Sequence, residues 1–192
     1  MAVEACRHLE SGFLSMDDFK VLLVGPTGAG KTTAINTVSD ISVISTEVAR
    51  SSLDTDSSSS QLIPKSTVTV GIDYGELNIN SSTRIRLYGV PGQIRFESLW
   101  DLIHEGSIGT VILFDISSND YSDEFVFFVN RFHKTLLTER CVIGISKYSE
   151  IYSSRVTNLL EFLKHSGIDV PVFSVDVRDK EDVLKLLSIL IK

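Results

Sequence analysis

Gly25-Pro26-Thr27-Gly28-Ala29-Gly30-Lys31-Thr32 is the stretch that decides the fold. It fits G-x-x-x-x-G-K-[ST], and it lies between two segments of opposite character. Upstream, Phe19-Lys20-Val21-Leu22-Leu23-Val24 is mostly apolar and branched, the composition of a buried parallel strand. Downstream, Thr33-Ala34-Ile35-Asn36-Thr37-Val38 continues as a helix. A glycine-rich turn at such a junction aims backbone N–H groups inward, in front of the positive end of the helix dipole, which makes a cradle for phosphate. Gly28 and Gly30 let the chain curl without Cβ clashes. Lys31 reaches the β- and γ-phosphates of a nucleoside triphosphate, and the Thr32 hydroxyl is a ligand for Mg²⁺. The predicted phosphate contacts are Gly25, Pro26, Thr27, Gly28, Ala29, Gly30, Lys31, Thr32 and Thr33.

Outward from this loop, strand-like and helix-like runs alternate, which implies an α/β fold with a mainly parallel sheet. Strands are predicted near 19–25, 68–79, 84–89, 109–115, 141–146 and 171–175, six in all, with helices near 30–38, 94–106, 121–137, 151–166 and 179–191. The last helix repeats Val183, Leu184, Leu186, Leu187, Leu190 and Ile191 on one face and opens on Asp179 as its N-cap. Asn80-Ser81-Ser82-Thr83 joins two strands as a hairpin and supplies one antiparallel strand. Ligands in such sheets sit at the carboxyl ends of the strands, where Gly25, Gly89, Asp115, Ser146 and Val175 are expected to converge.

Composition bounds the remainder. A chain of 192 residues, 43% hydrophobic and 22% charged, suits one domain with a sizeable core. The formal net charge of −7 and the lack of a Lys/Arg-rich run argue against nucleic acid or an anionic membrane as partner. Cys6 and Cys141 do not suggest a disulfide framework, and a reducing cytoplasm is the expected location. Met1 to His8 lacks a basic region followed by an apolar one, and the longest apolar runs are strand-sized, so no direct membrane insertion is expected. None of the four histidines lies at metal-ligand spacing with another His or Cys. Residues 1–17 read as an N-terminal extension and 18–192 as the domain. Within it, 50–61, with Ser57-Ser58-Ser59-Ser60, has the composition of a mobile loop.

Many unrelated proteins share the phosphate loop, and a second motif narrows the class. After Arg84-Ile85-Arg86-Leu87-Tyr88 comes Gly89-Val90-Pro91-Gly92-Gln93-Ile94-Arg95-Phe96, which resembles the D-x-x-G-Q-E-R-F start of the second switch loop in Ras-like small GTPases. Thr69-Val70-Gly71-Ile72-Asp73-Tyr74 resembles the T-I-G-x-D-F stretch that carries their first switch threonine. G-x-P-G-Q-x-R-F together with Ile72-Asp73-Tyr74-Gly75 is most similar to the bacterial Ras-like group related to MglA and the signal-recognition-particle receptor β subunit. The resemblance runs from about Asp18 onward. It implies a three-layer P-loop G domain, a mainly parallel six-stranded sheet with one antiparallel hairpin strand, and helices on both faces. It implies Mg²⁺ and GTP/GDP as cofactors, and a small roadblock-type regulator or other activating protein as partner. Gly92 then corresponds to the glycine whose N–H meets the γ-phosphate, and Gln93 to the catalytic glutamine that orients the attacking water. Thr69 corresponds to the metal-completing threonine, with Thr67 as a rival two residues away on the same strand face. Phe96, Leu99 and Trp100 fall at helical spacing and read as core or partner surface.

Two positions depart from that pattern. The aspartate that helps hold the Mg²⁺ water shell is Gly89, and Asp115, at the end of the next strand, is the candidate to replace it in part. The guanine-reading N-K-x-D is Ser146-Lys147-Tyr148-Ser149, so the predicted base contacts are Ser146, Lys147, Ser149 and, from the last strand, Val175. A carboxylate accepts from guanine N1–H and the 2-amino group together, whereas a hydroxyl accepts one of them well. Two readings follow: a cytoplasmic, Mg²⁺-dependent switch with slow GTP hydrolysis, or a nucleotide-binding module that takes GTP or ATP and hydrolyses little. Arg50 or Arg95, or a residue from a partner, would supply transition-state charge.

Overall fold

A computed structural model of the chain describes residues 17–49, 69–93, 96–138 and 140–191. The strands are β1 (Asp17–Val24), β2 (Ile44–Ala49), β3 (Thr69–Asn78), β4 (Thr83–Gly89), β5 (Gly109–Asp115), β6 (Cys141–Ser146) and β7 (Val172–Val175). The helices are α1 (Lys31–Val38), α2 (Glu97–His104), α3 (Tyr121–Arg131), α4 (His133–Thr138), α5 (Ser153–His165) and α6 (Lys180–Ile191), with a 3₁₀ turn at Glu150–Tyr152.

The strands form one sheet in the order β2-β3-β4-β1-β5-β6-β7. Among them β3 alone runs against the others, pairing antiparallel with both β2 and β4, while β4, β1, β5, β6 and β7 pair in parallel. The described sheet therefore has seven strands where six were expected. Ile44-Ser45-Thr46-Glu47-Val48-Ala49 is the additional one; its β-branched Ile44, Thr46 and Val48 alternate as in a strand, a pattern that the six-strand expectation leaves out. It is an edge strand, and its pairing with β3 agrees with the strand propensity of Ile44, Thr46 and Val48. The predicted hairpin is present, closed by Ile79 N–H donating to Thr83 O at 2.9 Å.

Alternation along each central strand divides its side chains between two cores. Leu22, Val24, Ile112, Phe114, Ile143 and Ile145 face α2, α3 and α5. Val21, Leu23, Val111, Leu113 and Val142 face α1 and α6. Strands buried on both faces need unbroken apolar runs, as β5 and β6 have. On the first face Trp100 is buried and stacks on Phe128 at 5.2 Å between centroids, so Phe96 and Trp100 are core residues. Asp179 caps α6 as predicted, its Oδ1 accepting from the N–H groups of Glu181 and Asp182 at 2.8 and 3.3 Å. The segments 1–16 and 50–61, together with Thr67, Arg50 and Arg95, lie outside the described residues.

Candidate phosphate-binding site

Parallel pairing sets the carboxyl ends of the central strands side by side. Leu23 is opposite Gly89, and Asp115, Ser146 and Val175 are neighbours across β5, β6 and β7. The phosphate loop leaves β1 at this edge. Gly25 turns there with φ of 136°, and a Cβ on it would come 2.0 Å from Leu113 O, so only glycine fits against β5. The Lys31 ammonium is buried and donates to Gly25 O and Pro26 O at 2.8 and 2.7 Å. Burial pushes its pKa down to about 8, against the opposing pull of Asp73 and then Glu124.

At the start of α1, the Thr32 hydroxyl donates to Asp73 Oδ2. Asp73 comes from β3 and stands directly opposite Gly89 on β4. The expected stand-in, Asp115, is committed elsewhere: it accepts from Ser117 N–H and Oγ at 2.9 and 2.6 Å and from Lys147 Nζ at 2.5 Å. Burial opposes its charge, yet Lys147 and then Ser117 hold the carboxyl below its usual range. Asp73 thus takes the place beside Thr32 that was assigned to Asp115. The helix reaches it because two strands carry no side chain beneath Ile35. A Cβ on Gly75 would lie 2.6 Å from Ile35 Cγ2, and one on Gly89 would lie 2.9 Å from Ile35 Cδ1. In sequence, Asp73 was visible only as part of the I-D-Y-G stretch. The signal that would have found it is a carboxylate at a strand position paired with the glycine that lacks one.

Two cavities flank the loop. One, of about 690 Å³, is lined by Pro26, Thr27, Gly92, Gln93, Glu124 and Phe127 among others. Gly92 packs on the loop so closely that a Cβ would come 2.4 Å from Gly25 O and 2.5 Å from Thr27 N. Trp100 Nε1 donates to Pro91 O at 2.8 Å and ties this turn to the aromatic core. Gln93 is exposed beside it.

The other cavity, of about 630 Å³, lies on the far side of the loop and includes Gly28, Thr33, Lys147, Tyr148, Val175 and Asp176 in its wall. Ser146 is buried there, its hydroxyl 3.0 Å from Ala29 O and 3.2 Å from Phe114 O, so its single proton serves the phosphate loop and β5. Lys147 has a φ of 54°, a left-handed conformation rare for a residue with a Cβ. Ser149 is not in the cavity wall; it precedes the 3₁₀ turn, where its carbonyl accepts from Tyr152 N–H at 2.8 Å. Asp176, which follows Val175 in the stretch that resembles the family's base-backing loop, pairs with Arg178 at 2.7 Å; both lie in the wall together with Asp182, and Arg178 and Asp182 have no counterpart among the predicted base contacts. Of the two threonines expected to complete a metal shell, Thr69 opens β3 opposite Ala49, and Thr67 lies outside the described residues.

Residues 23–143, well over half the chain, match the model of a family described as conserved hypothetical ATP binding protein. No curated protein matches the sequence. The fold is similar to the cytosolic domain of the T. maritima FeoB iron transporter in its GMPPNP form, with a TM-score of 0.57 at 16% identity over 90% of this chain and 62% of that one. The chain thus spans less than two thirds of that domain. It is similar to the isolated G domain of the same transporter with a TM-score of 0.56 at 17% identity, over 91% of this chain and 97% of that one. These likenesses show a P-loop G-domain fold, and the family match over residues 23–143 shows that the chain belongs to the family of conserved hypothetical ATP binding proteins.

Proposed function

We propose that the chain is a Mg²⁺-dependent nucleoside-triphosphate switch that hydrolyses GTP slowly to GDP and selects guanine less strictly than Ras-like proteins do. The observation that carries this reading is the convergence of Lys31, the Thr32–Asp73 pair and the Gly92–Gln93 turn on the phosphate loop. A hydroxyl and a carboxylate are hard oxygen donors and fit Mg²⁺, which takes one or two such groups beside phosphate and water. Thr32 would hold the ion and Asp73 its water shell, with Thr69 or Thr67 completing it. The bound ion would neutralise charge between the β- and γ-phosphates. Lys31 swings from the loop carbonyls to the triphosphate, and the Gly92 N–H meets the γ-phosphate. Gln93 orients a water for attack on γ-phosphorus as the bond to the β-γ bridging oxygen breaks, the water's proton passing to the phosphate.

Membership of a family described as ATP binding and the GMPPNP form of a structural neighbour support a nucleotide as ligand. The resemblance of Gly89–Phe96 and Ile72–Gly75 to the MglA-related group supports the switch role, a cytoplasmic location and a small roadblock-type regulator as partner. Among the described residues no helix is long and apolar enough to cross a membrane. Ser149 in place of the guanine-reading carboxylate favours relaxed base choice. The test is to identify the co-purifying nucleotide and to follow single-turnover hydrolysis of GTP and ATP in wild type and Gln93→Leu. Hydrolysis slowed at least tenfold with binding intact is expected, on the scale of general positioning effects. Turnover undetectable in wild type would replace the switch by a binding module, and turnover unaltered in the variant would remove Gln93 from the chemistry.

A further inference from the structure

The seventh strand places a second hydroxyl at the site. Ser45 on β2 is the register partner of Asp73, and Asp73 is in turn the register partner of Gly89, which lies opposite Leu23. Four strands therefore contribute one continuous row, with the carboxylate in its middle. Ser45 Oγ donates to Asp73 Oδ1 at 2.7 Å, while Thr32 Oγ1 donates to Oδ2. The two oxygens of one carboxylate are thus held by different elements, the edge strand and the helix that follows the phosphate loop.

This division has a mechanical consequence. The terminal torsion of an aspartate is broad and roughly two-fold, so one hydrogen bond leaves the carboxylate plane loosely defined. Gly89 offers no side chain to brace it from the other neighbouring strand. Ser45 is the brace. We propose that Ser45 is a positioning residue of the cation site, fixing the orientation in which Asp73 Oδ2 meets Thr32, and that β2 is therefore part of the nucleotide site rather than a passive addition to the sheet. This inference rests on the reading of Thr32 and Asp73 as the Mg²⁺-holding pair. The same strand pairing sets Ala49 opposite Thr69, so the residues on either side of 50–68 are joined by the ladder that Ser45 and Asp73 belong to.

The test uses the full chain and a fluorescent GTP analogue, with affinity measured across a MgCl₂ titration and again in EDTA. Wild type, Asp73→Ala, Ser45→Ala and Ser45→Thr are compared, with Ser45→Cys as a near-isosteric substitute should the alanine variant misfold. Loss of a group that orients a metal-holding residue typically costs on the order of 10-fold or more in metal affinity. Ser45→Ala is expected to need about ten times more Mg²⁺ for half of the effect. Its affinity in EDTA should equal that of wild type, and Ser45→Thr, which keeps the hydroxyl, should restore the wild-type titration. An equal loss of affinity with and without Mg²⁺ would make Ser45 a structural residue and overturn the inference. So would a Ser45→Ala titration identical to wild type while Asp73→Ala is shifted. A wild-type affinity indifferent to Mg²⁺, or an Asp73→Ala titration unshifted, would overturn the cation site itself and the inference with it.

Discussion

Asp73 and Gly89 face one another across the β3–β4 pair, and the carboxylate of the first stands beside the side-chain space that the second leaves open. A Cβ on Gly89 would lie 3.3 Å from Asp73 Cβ and 3.4 Å from its Oδ2. Under the proposed Mg²⁺ reading, the acidic function has crossed from one strand to its neighbour, and Thr32 is the group beside it.

Asp73→Ala is therefore expected to weaken Mg²⁺ support of nucleotide binding by roughly 10–100-fold, the usual effect of losing a group that orients a metal's shell. Returning the acid to β4 in Asp73→Gly with Gly89→Asp should recover part of that loss, whereas Gly89→Asp alone sets two carboxylates face to face and should lower the melting temperature. Magnesium titrations and thermal unfolding of the three variants check this. A double variant no better than Asp73→Ala would show that the two positions are not interchangeable.

Lys31→Ala should abolish triphosphate binding in a protein that remains folded, checked by titration with a fluorescent nucleotide alongside circular dichroism. The ammonium's pKa of about 8 adds a pH dependence. Above that value the free protein holds a neutral amine, so affinity should fall as pH rises through about 8, and binding there should take up a proton. Lys31→Arg, charged throughout, should lack this slope. The stability term has the opposite direction. Between about 8 and the unfolded value near 10.4 the unfolded chain binds more protons, so Lys31 favours folding increasingly with pH in that window. Calorimetric affinities at pH 7 and 9 in two buffers of different ionisation enthalpy decide the first point, and denaturant midpoints over the same range the second.

Gly92→Ala drives a methyl group into the backbone of Gly25 and Thr27, atoms that cannot rotate away. The second switch turn must lift off the phosphate loop, at a cost of about 1–3 kcal/mol, the scale of overpacking. The ratio of triphosphate to diphosphate affinity should fall, and the melting temperature should drop by roughly 2–4 °C for each kcal/mol of that cost. An unchanged ratio would mean that the Gly92 N–H does not meet the γ-phosphate.

Ser149→Asp restores an acceptor able to take both guanine donors and should raise the preference for GTP over ATP by about 1–3 kcal/mol, the scale of a charged hydrogen bond. Competition binding on both proteins measures it. A wild-type chain already strongly selective for GTP would show that a wall residue of the cavity that holds Lys147 and Asp176, rather than position 149, reads the base.

The phosphate loop, the buried strands, the helices and the cap of α6 were legible in the chain because each depends on neighbours within a few residues, whereas the placing of helices on both faces came only from the family resemblance. Gly-rich turns, unbroken apolar runs such as β5 and β6, and the 3.6-residue repeat of α6 are local patterns with local causes. What tertiary structure alone decided is long-range. β2 carries a strand's alternation in Ile44, Thr46 and Val48, but its antiparallel pairing with β3 and the register of that pairing are decided at long range. Asp73 reaches Thr32, which is 41 positions away, because Gly75 and Gly89 let α1 settle onto the sheet. Asp115 was the nearer guess by strand position, but Lys147 and Ser117 engage both of its oxygens. Which carboxylate serves a site depends on register and on the packing distance between helix and sheet, and both are set only when the layers close.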